Sequence, residues 1–259
     1  MNEVLYHYTN IPAALSILSN KSIWLSDCRF LNDSHEYYKA IDILLNSFDI
    51  KEEESKFINT VLTYSGYKEH HCIFSLSSNP KILSQWRTYS DDGRGVAIGF
   101  HRKSLEQSFN LFECIYENHE LYIEDIRKKH LQTIDKIIYI CNHFVGQHIV
   151  LELDKIVSEI NLLARDLLRI KNSVFKEEKE VRIIKSYSYK DISFRNSNNI
   201  IVPYKDEVYA KYLDKFVDHS IYVREIWLGP KCNELNKISF GSMFISPFTN
   251  IYEFDCGYK

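Results

Sequence analysis

Between residues 123 and 174 the apolar side chains recur at helical spacing, while the stretches on either side read as short strands. Ile134, Ile137, Cys141, Phe144 and Val145 fall mostly three or four apart, and Ile156, Ile160, Leu163 and Leu167 continue the stripe, which is the period of one buried helix face. Gly146 is the residue in that run most able to interrupt it, because glycine inside a helix costs about 1 kcal/mol relative to alanine. Two helices, or one broken near Gly146, are therefore expected. A helical middle between strand-bearing ends is unlike a doubly wound sheet, which alternates strand and helix regularly. The expectation is a single α+β domain over residues 1–259, with no repeat and no linker.

The flanks supply the strands and the helix starts. Residues 5–9 are β-prone, then Asn10 offers an N-cap and Pro12 an early helical position before Ala13, Ala14, Ile17 and Leu18. Residues 22–26 read as a second strand. Asn32, Asp33 and Glu36 combine a capping residue with a carboxylate ahead of Tyr37, Ala40, Ile41 and Leu44, so a helix is expected over about residues 34–47. Residues 72–77 form a further strand, Asn79-Pro80 starts a helix bearing Trp86 and Tyr89, and Gly93-x-Gly95 reads as a hairpin turn before a strand at 96–100. Later strands are expected at 180–185, 200–204, 221–228 and 243–254.

Composition removes several classes of function. A net charge of −3 does not suit a surface that tracks a phosphate backbone along its whole length. No run of about 18 apolar residues exists, and Met1-Asn2-Glu3-Val4 lacks the basic and apolar regions of a signal peptide, so a cytoplasmic location is expected. The six cysteines include no Cys-x-x-Cys pair, the histidines give no His-Glu-x-x-His, and His143 and His148 are five apart, so no metal is indicated. Neither Gly-rich phosphate-loop pattern is present.

Several local strings occur in order: Tyr6-His7-Tyr8-Thr9, Phe30-x-Asn32-Asp33-x-x-Glu36, Cys72-x-Phe74-Ser75, Trp86-x-x-Tyr89, Gly95-Val96-x-Ile98-Gly99-Phe100 and Phe175-x-x-Glu178-x-Glu180-Val181-Arg182. With Val202-Pro203-Tyr204 and Ile226-Trp227-Leu228-Gly229-Pro230, this set resembles the bacterial domain of unknown function 2971 family over most of the chain. Ser34 and Phe175 stand where that family often has Pro and Trp. The layout is also similar to the ADP-ribosyltransferase fold, in which an early strand bears a His or Arg and a late strand begins with Glu. That likeness implies a split, mostly antiparallel sheet around the helical middle section.

What the resemblance implies chemically is cleavage of NAD. Breaking the nicotinamide–ribose bond builds positive charge on the sugar, as in glycoside cleavage, and a carboxylate opposes that charge. Glu180 is the candidate, with Glu178 two positions earlier on the same face if the strand has already begun. In arginine-modifying transferases the second Glu of such a pair serves the ribose and the first activates the acceptor. His7 would bond a ribose hydroxyl while the first strand, with Tyr8 and Thr9, pairs with the carboxamide; Tyr8 or Tyr89 would stack on nicotinamide. Arg182 and Arg195 would meet the pyrophosphate, since a guanidinium fork binds phosphate bidentately. The plainer accounts are a core histidine at position 7, ordinary packing tyrosines, a solvated ion-paired edge at Glu178, Glu180 and Arg182, and helix capping for Asn32, Asp33 and Glu36.

The function that follows is an NAD-using ADP-ribosyltransferase or NAD glycohydrolase, as in a toxin or antiphage effector, with NAD as substrate and a protein, nucleic acid or water as acceptor. The competing reading is a non-catalytic module of the same fold that binds a nucleotide or a protein. A third, a metal-independent nuclease using His70 and His71, suffers because adjacent strand residues face opposite ways.

Overall fold

The structure, a computed structural model, describes residues 3–31, 34–64, 69–197, 199–210, 222–243 and 249–258. The amino-terminal part runs β1 (Val4–Thr9), α1 (Ile11–Asn20), β2 (Ser22–Asp27), α2 (Ser34–Asn46), α3 (Glu52–Tyr64) and β3 (Glu69–Ser77). Next come α4 (Leu83–Tyr89), β4 (Val96–His101), α5 (Arg102–Glu106) and β5 (Leu111–Glu113). The helical middle is α6 (His119–His143), α7 (Gln147–Lys155) and α8 (Val157–Leu167). The chain then returns to β6 (Glu180–Ser188), β7 (Ser193–Ser197), β8 (Ile200–Val208) and β9 (Val223–Leu228), and closes with α9 (Leu235–Met243) and β10 (Asn250–Glu253).

The strands make one mixed, mostly antiparallel sheet, in which β9 and β10 are the parallel pair among the described residues. β3 organises it. All nine residues of β3 pair with β6, from Glu69↔Ser188 to Ser77↔Glu180. Its remaining edge therefore carries both β2, at Cys72 and Ile73, and β1, at Ser77 alone. From β1 one wing continues through β4 and β9 to β10, and from β2 another continues through β8 to β7. Residues 74–76 lie in the fork between the wings.

Strand alternation sorts the two faces. Cys72, Phe74, Leu76, Val181 and Ile183 join Leu5, Ile98 and Phe100 in one core, under α1, while Ile73 and Ile184 point the other way into a second core built with α2, α3, α6 and α8. Glu180 and Arg182 share the parity of Ile184 and so face the helical layer. There Ile134, Ile137, Ile160, Leu163 and Leu167 are buried, as their helical spacing requires.

Some elements differ from the sequence expectation. The middle section holds three helices, broken by Gly146 with φ +58° and again at Ile156. Gly93-x-Gly95 joins α4 to β4 and makes no hairpin; Gly95 is required by the close approach of β1, since a Cβ there would sit 2.2 Å from the Thr9 carbonyl oxygen. The stretch expected as one strand over 243–254 opens on the end of α9, and only Asn250–Glu253 is strand; residues 244–248 lie outside the described set. Asn79 does not cap α4, whose preceding residue is Ile82; it makes a local turn by accepting from the Lys81 N–H.

Asn10 does what its position suggests, accepting the Ala13 N–H at 2.9 Å ahead of α1. Asn10→Ala is expected to lower unfolding free energy by about 1 kcal/mol; urea melts with an unchanged midpoint would count against this capping role.

Candidate functional site

A cavity of about 310 Å³ opens in the fork of the sheet. Its wall takes Tyr6, His7 and Tyr8 from β1, Ser75–Ser77 from β3, Tyr89 from α4, and Arg195 and Ser197 from β7. Lys171, Glu178, Glu180 and Arg182 line it as well. Where β1 and β3 part, His7 Nδ1 lies 2.9 Å from the Ser75 carbonyl oxygen and donates to it, while the imidazole stacks on Phe74 at 4.1 Å. That contact ties the strands where the ladder does not. It also sets the tautomer: with Nδ1 carrying the proton, Nε2 is left as the acceptor. Burial lowers the His7 pKa to about 4, against the opposing Ser75 hydrogen bond, so the ring is neutral near pH 7.

Glu180 begins β6 and its carboxylate is enclosed by cations. Lys171 Nζ lies 2.5 Å from Oε2, and Arg182 approaches with Nε 2.8 Å from Oε1 and Nη2 3.2 Å from Oε2. Burial alone would raise the Glu180 pKa, but Arg182 and Lys171 outweigh it and hold it at about 2. The backbone N–H of Glu180 donates to the Tyr116 hydroxyl at 2.8 Å, which fixes the start of the strand. Arg182 also donates from Nη1 to the Leu168 carbonyl at 2.6 Å.

Glu178 is not in the strand. It ends a 3-10 helix, Ser173–Glu178, and Lys179 then turns through φ +46° before β6 begins. The pair is nonetheless joined, because Lys171 also donates to Glu178 Oε2 at 2.5 Å. The Ser77 hydroxyl holds the Glu178 carbonyl at 2.7 Å. Two carboxylates and two cations thus form a buried ion-paired cluster in the cavity wall, and the solvated, ion-paired edge expected as the plain alternative is replaced by a desolvated network. Glu36 reaches the same region, accepting the Asn172 N–H at 2.7 Å with its other oxygen 4.0 Å from Arg182; Asn32 and Asp33 lie outside the described residues.

The remaining sequence candidates divide. Tyr89 lines the cavity and is 37% exposed. Tyr8 touches the cavity, but its ring packs edge-on to Trp86 at 5.0 Å and its hydroxyl donates to the Asn79 carbonyl at 2.7 Å, which makes it chiefly a packing residue. Thr9 is buried, pairs with Val96 and is not part of the cavity wall, because it lies where β1 meets β4. Arg195 lines the wall and donates from Nη2 to the Ser26 hydroxyl at 2.9 Å. His70 and His71 are divided by strand alternation, His70 meeting Asp27 at 2.7 Å and His71 meeting Ser186 at 2.8 Å.

Lys171 was not visible as a site residue. It stands in an irregular segment after α8, where neither period nor motif marks it, and its partners come from residues 7 and 9 positions on. The sequence signal is a lysine seven residues ahead of a Glu-x-Glu string, a weak one in a chain with many charges. Among the described residues no group of three or more His, Cys, Asp or Glu could hold a metal ion, and no helix is long and apolar enough to cross a membrane.

Residues 85–183 match the model of the family described as "Protein of unknown function (DUF2971)". The match contains the Trp86, Gly95 and Phe175 strings and hence Glu178, Glu180 and Arg182; the strings at Tyr6, Phe30 and Cys72 and those after Arg182 fall outside it. No curated protein and no solved structure matches the chain.

Proposed function

We propose that this chain, whose residues 85–183 carry the DUF2971 family segment, binds NAD in the forked cavity and cleaves its nicotinamide–ribose bond, as an ADP-ribosyltransferase or NAD glycohydrolase. The observation that carries the reading is a carboxylate, Glu180, kept ionised at a pKa of about 2 in the wall of a cavity that His7 and Tyr89 also line. Such a group suits opposition to developing positive charge, and is unsuited to act as a general acid near pH 7. The bonding pair leaves with neutral nicotinamide, the oxygen of water or the acceptor's nucleophile adds to the sugar carbon, and the nucleophile's proton passes to Glu178 or to solvent. His7 Nε2, an acceptor, receives a ribose hydroxyl. At about 310 Å³ the cavity is at the small end of ligand pockets, so it takes the nicotinamide and its ribose, with the rest of NAD in the mouth.

One specific feature favours the second reading, a nucleotide-binding module without catalysis: both Glu180 oxygens already have cationic partners. Incubation of purified protein with NAD, following free nicotinamide and heat of binding in parallel, separates the two. Release of nicotinamide supports the enzyme; binding without release supports the module.

Stacking on Tyr89 makes a smaller prediction. Tyr89→Phe is expected to keep NAD affinity, and Tyr89→Ala to weaken it about 3- to 10-fold, since the ring face and not the hydroxyl carries the contact. Equal losses in both variants, measured by calorimetry, would reject stacking.

A further inference from the structure

Three cations and two carboxylates line the cavity. Lys171 and Arg182 are matched to Glu178, Glu180 and, at 4.0 Å, Glu36, which leaves Arg195 as the cation of the wall without a carboxylate partner among the described residues. A guanidinium offers five N–H donors, yet among the described residues the Arg195 side chain bonds to Ser26 alone, and its buried Nε has no hydrogen-bond partner there. It has no carboxylate partner among the described residues. Its Cζ lies instead beside an aromatic pair, 5.4 Å from the Trp24 centroid and 5.9 Å from that of Tyr204, rings that are themselves 5.0 Å apart. Aromatic neighbours attract the cation without supplying acceptors for its N–H groups. Ser197, two residues further along β7 and so on the same face, adds a hydroxyl to the cavity wall.

We propose that Arg195, with Ser197, is the phosphate-recognising point of this cavity, so that the site selects a ligand bearing a diphosphate over the corresponding nucleoside. The inference rests on the cavity being the ligand site, and it names which of the two candidate arginines meets the ligand's anion. Arg182 is spent on Glu180 and the Leu168 carbonyl; Arg195 is a half-buried charge with no carboxylate counter-ion among the described residues, an arrangement that a bound anion would complete. Burial lowers its pKa with only Tyr204 acting the other way.

Calorimetry with ADP-ribose, inorganic pyrophosphate and nicotinamide riboside tests it on the full chain. Wild-type protein is expected to bind ADP-ribose, to release it on addition of pyrophosphate, and to bind it less well as salt rises. R195M, which keeps the stem and loses the charge, should weaken ADP-ribose about 10- to 100-fold and leave nicotinamide riboside unchanged; R195K should fall between. Unchanged ADP-ribose affinity in R195M, or an equal loss for nicotinamide riboside, overturns the proposal. Were R195M to unfold, the wild-type arm alone decides, since failure of pyrophosphate to displace ADP-ribose also overturns it. The outcomes separate from those for catalysis. Arginine-dependent binding of ADP-ribose without any nicotinamide release keeps this inference and rejects the enzyme, whereas nicotinamide release with an unchanged KM for NAD in R195M does the reverse.

Discussion

Lys171→Met is expected to lower unfolding free energy at pH 7 by about 3–5 kcal/mol, the range for breaking a buried ion pair by removing one partner. Lys171 is 1% exposed and is the shared cation of Glu178 and Glu180. Methionine fills most of the lysine stem's volume, so packing is kept while two buried carboxylates lose their common counter-charge. The pH dependence distinguishes this from a cavity effect. In the wild type, Glu180 has a pKa depressed from 4.5 to about 2, so its contribution is fully present above pH 4.5 and is lost as pH falls toward 2. In the variant that contribution is already diminished at pH 7. The difference between the two proteins should therefore narrow as pH falls from about 5 to 3. Urea melts at pH 7 and pH 3 provide the check; an equal loss at both would mean that Lys171 contributes packing alone.

The strands and helices that could be read in advance are those with a period or a cap of their own. β1, β2, β3, β4, β6 and β8 stand where β-prone runs stood, and α1 begins at the asparagine that caps it. β5 could not be read because it is three residues long and exists as a partner for Val181–Ile183 on β6. β7 could not because Ser193–Ser197 is a polar edge strand whose pairing with β8 defines it. The helix α9 went unread for want of a marked apolar stripe in Leu235–Met243. One further feature is a matter of register. The fork depends on β1 and β2 sharing one edge of β3, which no local string specifies.

The site shows the same division between local and long-range information. The Glu-x-Glu-x-Arg string and His7 could be picked out, and the structure brings His7, Tyr8, Tyr89, Glu178, Glu180, Arg182 and Arg195 to one cavity. Their partners could not be picked out. Lys171, Tyr116 and the Ser75 carbonyl each meet a site residue through the tertiary fold. Yet they decide the chemistry, because they set the charge of Glu180 and the tautomer of His7. Thr9 illustrates the converse: adjacent to His7 and Tyr8 in the string, it is drawn into the β1–β4 ladder and away from the cavity.

Glu180→Gln is the substitution on which catalysis turns. Glutamine keeps the shape and removes the charge, so if the carboxylate opposes an oxocarbenium-like sugar the loss falls on turnover, with NAD affinity little changed, because the opposed charge develops only in the transition state. The expected loss is about 10²–10³-fold, the order seen when one electrostatic group of a preorganised site is removed. The variant also leaves Arg182 less compensated, so turnover must be measured where circular dichroism shows the fold intact. Glu178→Gln is the internal control: it too removes a carboxylate from Lys171, and should reduce transfer to an acceptor more than hydrolysis. The wild-type pH profile adds a second readout. With the Glu180 pKa at about 2 and that of His7 at about 4, nicotinamide release should show no acid limb from either group between pH 8 and about pH 5, and a decline nearer pH 4 should persist in a form of the protein with Glu178→Gln. An acid limb centred near pH 6 would mean that a different group controls the reaction. Intact wild-type protein that neither binds NAD nor releases nicotinamide would remove NAD from the account altogether, whereas equal nicotinamide release by the wild type and Glu180→Gln would leave an NAD-cleaving enzyme whose charge-opposing group is not Glu180.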